Sequence, residues 1–160
     1  MTKRRWVVLL VLLGVSVTLG SKAPGGGPPD LTGTWCFCVR GYVADVGGQQ
    51  EFFQLKTHLF INQYDRCAYL FAPELDLCLD GMVGRRYLVA SEGWMGYDYG
   101  YCAVLDARIG ASRQTFKGNI RLFDMDGQED FDGNGSGGAL FGYIQFRARR
   151  ISNNVPGFPG

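Results

Sequence analysis

Charge, histidine and long apolar runs are all scarce in this chain of 160 residues. Asp, Glu, Lys and Arg make up only 19% of it, and the net charge is +1. No basic stripe in the body of the chain exceeds Arg147-Ala-Arg149-Arg150, which gives no pointer to a nucleic-acid partner. The single histidine, His58, shares a strand face with Lys56 and Phe60, opposite Leu59 and Ile61. That is the pattern of a surface residue rather than a general base. There is no nucleophile elbow, phosphate loop or zinc-ligand spacing, and Cys36-Phe-Cys38 is not a Cys-x-x-Cys motif. No acid–base set is visible, so the expectation is a protein that is not an enzyme. No segment keeps a long helical period, and no internal repeat is present.

The longest apolar run, Trp6 to Gly20, has fifteen residues. A spanning helix needs about 20. Preceded by Met1-Thr-Lys-Arg-Arg5, it reads as a secretory signal peptide over residues 1–23, with an uncleaved membrane anchor as the alternative. Cleavage would remove Lys3, Arg4, Arg5 and Lys22 and no acid, leaving twelve cations against fifteen carboxylates. The expected location is exported: secreted, periplasmic or in the cell envelope. A membrane is met only through this segment, if it stays uncleaved. Residues 24–30 (Pro-Gly-Gly-Gly-Pro-Pro-Asp) form a linker and 152–160 a disordered tail, which leaves a domain over 31–151.

Glycine is abundant, 24 of 160, and aromatics reach 14%. With many β-branched residues this predicts all-β structure with tight turns. Eight strands are expected, near 32–43, 53–63, 66–72, 75–80, 84–91, 97–107, 114–124 and 139–151. Alternation is clearest in Leu55/Thr57/Leu59/Ile61, Leu75/Leu77/Leu79 and Ile144/Phe146/Ala148. In an eight-strand meander the two longest links, 44–52 and 125–138, fall at the same end. The other end has mostly tight turns. An open mouth over a closed floor has this pattern, so the expected fold is an eight-stranded antiparallel up-and-down barrel.

Leu31-Thr-Gly33-Thr-Trp35 resembles the Gly-x-Trp opening of the calycins, the lipocalin, avidin and fatty-acid-binding group. The resemblance implies that Trp35 closes the barrel floor and that an Arg of the last strand packs across it. Parity with Ile144, Phe146 and Ala148 favours Arg150 for that role, with Arg147 second. It also implies a cavity, without naming a ligand. The helix that follows the barrel in typical lipocalins is absent, and avidin's biotin-binding residues have no counterparts here.

Two segments carry candidate chemistry. Trp94-Met-Gly-Tyr97-Asp-Tyr99-Gly-Tyr101 offers flat rings with polar edges at the mouth end. With Phe52 and Phe53 it gives the expected ligand contacts: Phe52, Phe53, Trp94, Tyr97 and Tyr99, for a small apolar or aromatic ligand. Packing of these rings on the sheet face is the competing interpretation. Asp130, Asp132, Asn134 and Gly135 match the opening of a calcium loop, but Phe141 stands where a bidentate Glu is needed. At most weak Ca2+ binding is expected there, and a Gly/Asp-rich hairpin loop is the preferred reading of the composition. No other cofactor is expected.

Five cysteines, Cys36, Cys38, Cys67, Cys78 and Cys102, lie in the exported part. The count is odd, so at least one thiol is free or pairs between chains. If Ala72 faces Leu75, then Cys67 and Cys78 are diagonal neighbours and form the expected bridge; Cys102 with Cys36 or Cys38 is the next pairing. Two functions therefore stand at this point. One is a binding module for a small ligand at the open end. The other is a structural or interaction protein of the cell envelope with a solid core.

Overall fold

The computed structural model describes residues 27–45, 47–95, 100–124 and 139–156, with the backbone alone for Trp94 and Met95. The strands are β1 (Gly33–Ala44), β2 (Gln50–Tyr64), β3 (Cys67–Ala72), β4 (Leu77–Val83), β5 (Tyr87–Met95), β6 (Gly100–Ile109), β7 (Thr115–Asp124) and β8 (Ala139–Ser152). Each pairs antiparallel with the next, and β1 closes on β8, so the sheet is a closed up-and-down barrel in sequence order. One face of every strand points inward, following the period-two alternation. Trp35, Phe37, Leu59, Ile61, Leu70, Leu79, Leu88, Leu105, Phe116, Ile120 and Phe146 belong to one continuous buried core. Burying Trp35 alone contributes about 4–6 kcal/mol gross, at about 25 cal/mol per Å² over roughly 150–250 Å².

The lower end is closed by the residues that lead into β1. The Leu31 N–H donates to Gln63 Oε1 at 2.8 Å, and Gln63 Nε2 donates to the carbonyls of Pro29 (3.1 Å) and Asp65 (2.7 Å). The indole N–H of Trp35 donates to the Leu31 carbonyl at 2.9 Å. Arg150 lies across the ring, its Cζ 4.7 Å from the ring centre, and donates to Asn153 Oδ1 (2.9 Å) and the Asp30 carbonyl. Phe116 meets the indole edge-on at 4.8 Å. Gly33 has φ +145°, and a Cβ there would run into the Ser152 carbonyl. The glycine thus permits first and last strands to touch above the floor.

Two expected strand positions are corrected. β4 begins at Leu77 rather than 75, because Pro73–Leu75 form a short 3-10 turn and Asp76 takes a left-handed φ of 49°. Proline's fixed φ starts the turn, and the extra residues move the register by two. Ala72 therefore pairs with Leu77, Cys67 with Met82 and Cys78 with Phe71. A two-residue slip keeps both thiols on the outer face but sets them four positions apart, roughly 13 Å at strand rise. No Cys67–Cys78 bridge forms. Cys102, on β6, is separated by β7 and β8 from Cys36 and Cys38 on β1, and all five cysteines are free thiols. β5 likewise starts at Tyr87 instead of 84, since the Gly84 N–H donates to the Tyr87 carbonyl at 2.8 Å and closes a turn under the Tyr87 ring.

Candidate functional site

The strand ends Ala44 and Gln50, Ala72 and Leu77, Met95 and Gly100, and Asp124 and Ala139 bound the mouth, and links 65–66, 84–86 and 110–114 lie at the floor. The mouth is lowest at the β3–β4 hairpin. β2 pairs with β3 only from Phe60 onward, and β4 with β5 only from Asp80 to Val83. Gln50–Leu59 of β2 and Glu92–Met95 of β5 therefore have no strand partner on the hairpin side.

Burial along the inner face of β2 tracks this drop in the wall. Ile61 and Leu59 are 0% exposed, Thr57 is 5% and Leu55 is 37%. Phe53, one step higher, packs partly buried against the core, as do Leu75 and Leu122. The Thr57 hydroxyl is buried without a hydrogen bond of good geometry. Glu92 has the inward parity of Leu88 and Ala90 and accepts the Cys78 N–H at 3.2 Å, a donor that has lost its strand partner. Burial pushes the Glu92 carboxyl above its ordinary pKa; the Cys78 bond pulls it down, and the nearby charges of Asp76 and Asp80 add to the rise. The upper interior is thus an apolar rim with the Glu92 carboxylate and the Thr57 hydroxyl, and the Glu74 carboxylate lies close to that hydroxyl.

The expected ligand contacts divide. Phe53 faces inward, whereas Phe52 points outward, 73% exposed, with its ring 5.8 Å from Tyr42. Adjacent strand residues occupy opposite faces, so the two rings do not share a pocket. Trp94 sits on β5 with its backbone opposite Tyr101, and its side chain lies outside the described residues. Tyr97, Tyr99, Asp130, Asp132 and Asn134 lie outside them as well. Among the described residues, no three His, Cys, Asp or Glu side chains converge as a metal site.

The outer face holds a cluster that the linear sequence hides. Arg108 on β6 stands opposite Lys117 on β7, which stands opposite Arg147 on β8. Arg147 in turn faces Cys38 on β1, and Cys38 faces Lys56 on β2. Arg149 lies one outward position below Arg147, opposite Cys36. These cations border a cleft of about 670 Å³ whose lining contains no carboxylate. Arg40, Gln54, Asn119 and Gln145 line an adjoining cleft of about 980 Å³. Positions 56, 108, 117 and 147 are distant in the chain; their shared outward parity was the signal that could have found them. The same register sets Cys36 opposite His58, whose Nδ1 is 3.8 Å from Glu74 Oε1. No hydrogen bond joins Cys36 to His58 among the described residues.

Comparison with family models and with curated proteins finds no match to this chain.

Proposed function

We propose that the barrel is an exported, calycin-like carrier that takes one small apolar or aromatic ligand into the upper half of its interior. The lower half is filled by its own side chains. The observation that carries this proposal is the exposure gradient on the inner face of β2, from 0% at Leu59 to 37% at Leu55. An inward-facing leucine left that accessible on a closed barrel marks unfilled apolar wall, the lining that ligand sites favour. Phe53, Leu55 and Leu122 supply apolar contact, and Glu92 and Thr57 supply polar partners. No catalytic role is assigned.

The neutral probe N-phenyl-1-naphthylamine tests it. Saturable fluorescence enhancement near one probe per chain is expected in the wild type and a loss in Leu55→Arg, with the melting temperature little changed. No saturable signal, or an identical signal in the variant, rejects the carrier.

A second proposal, an interaction protein of the cell envelope with a solid core, is favoured by the outward Phe52. It joins Tyr42, Tyr143 and Gln145 around an open groove of about 590 Å³. Retained partner binding by Leu55→Arg together with loss in Phe52→Ser selects it over the carrier.

A further inference from the structure

The cations of the described barrel are distributed unevenly along its axis. Arg108, Lys117, Arg147 and Arg149 all lie on the floor half of their strands. The floor turns add Arg66, Arg85, Arg86 and Arg113, all exposed. Asp30, Asp65 and Asp106 oppose them on that half, and Asp80 lies midway along β4. The mouth half carries Asp45, Glu51, Glu74, Asp76, Glu92 and Asp124 against Arg40, Lys56 and Arg121.

Like charges directly opposite one another on neighbouring strands repel. The row Arg108–Lys117–Arg147 places three in succession, with no carboxylate lining the cleft beside them. Among the described residues none of the three is in an ion pair; the ion pairs there are His58–Glu74 and Arg121–Asp106. A face assembled this way is complementary to an extended anionic surface. A single small anion would meet only one or two of its cations.

The route of the chain selects which surface. Pro29 to Thr32 are pinned under the floor by Gln63, Trp35 and Arg150, so everything before residue 27 joins the barrel at this basic end. In sequence that segment holds the fifteen-residue apolar run preceded by Lys3, Arg4 and Arg5, with Lys22 after it. The stretch 24–28 ahead of the pinned residues spans at most roughly 18 Å, at about 3.5 Å per residue. Along the chain, the apolar run is therefore tethered to the basic end of the barrel.

We infer that the floor end of the barrel docks on an anionic lipid surface. Arg108, Lys117, Arg147 and Arg149 meet the headgroups, and the acidic mouth is held away from the bilayer. This is independent of what the interior carries.

Full-length protein is sedimented with vesicles of phosphatidylcholine alone and with vesicles containing 30% phosphatidylglycerol. The N-terminal segment brings four cations of its own to either variant or wild type, so the change in the ratio on substituting barrel residues reads the barrel. Wild type is expected to favour the anionic vesicles by at least about tenfold, given that each basic residue near such a surface adds roughly fivefold. The preference should fall as salt rises from 0.05 to 0.5 M. The triple variant Arg108→Glu, Lys117→Glu, Arg147→Glu should lower the ratio by at least about tenfold from the wild-type value. All three side chains are exposed, and the variant's thermal melt checks its fold. Glu51→Lys at the mouth should leave the ratio unchanged. Equal partition of wild type on both vesicle types overturns the inference, as does a triple variant that is folded and keeps its preference. So does tight, face-dependent binding of soluble dextran sulfate without any vesicle preference, which assigns the cluster to a soluble polyanion.

Discussion

The guanidinium of Arg150 lies 4.7 Å from the centre of the Trp35 ring, and the two residues are direct partners across the β1–β8 seam. One contact therefore joins the first strand, the last strand and the floor. Arg150→Met keeps the stem and loses the cation, the stack and the hydrogen bonds to Asn153 and Asp30. The loss should be about 1–3 kcal/mol, since the stack is partly desolvated and charged donors contribute more than neutral ones. A fall in melting temperature of roughly 4–10 °C is expected. Arg150→Lys restores charge without the planar fork and should recover less than half of it.

Gly33→Ala should be more damaging than its size suggests. Its φ of +145° is one that L side chains rarely adopt, and the new methyl meets the Ser152 backbone. Backbone strain of this kind costs on the order of 1–3 kcal/mol before the steric term. Chemical denaturation should show a lower midpoint with an unchanged slope.

The thiols should titrate in classes. Cys38 and Cys67 are exposed and Cys102 is buried. Dithiobis-nitrobenzoate should modify Cys67 first and Cys38 more slowly, because desolvation and then the neighbouring Cys36 thiol push the Cys38 thiol above its ordinary pKa, with Cys102 released only on unfolding. Burial, and then the nearby Glu92 charge, push the Cys102 thiol above its ordinary pKa, which slows it further. Cys67→Ser and Cys78→Ser should each leave the non-reduced melting temperature within about 1 °C. Loss of a real bridge would remove roughly 3 kcal/mol.

Glu92 gives stability a pH dependence of known sign. Its carboxyl is held above the ordinary value, chiefly by burial. Between the unfolded and folded pKa values the native state then binds more protons than the unfolded chain, so stability falls as pH rises through that window. Glu92→Gln removes this term and keeps an acceptor for the Cys78 N–H. The variant should melt above wild type at pH 7, and the gap should close below about pH 4, where both states of the wild type are protonated. A gap independent of pH would mean that packing, not ionisation, separates the two proteins.

The architecture was legible because its signals are local. Leu31 to Val43 shows the alternation that buries Trp35, Phe37 and Val39, and parity on the last strand singled out Arg150 over Arg147. What could not be read depends on relations between strands. A proline turn at Pro73 moved β4 by two residues and with it the partner of every residue on that strand. The row from Arg108 to Lys56 exists only once β6, β7, β8, β1 and β2 are in register. The sequence near Phe52 and Phe53 named two rings for one pocket, where alternation allows one.

The seam at which Arg150 reaches Asp30, 120 residues away, has a consequence for synthesis. Hairpin by hairpin, a nascent chain can pair β1 through β7 as it emerges from a ribosome or a translocation pore. Until β8 (Ala139–Ser152) arrives, β1 keeps an unmatched edge and the indole lacks its lid. Chaperones and proteases then meet an unfinished ribbon whose contacts of greatest sequence separation form last.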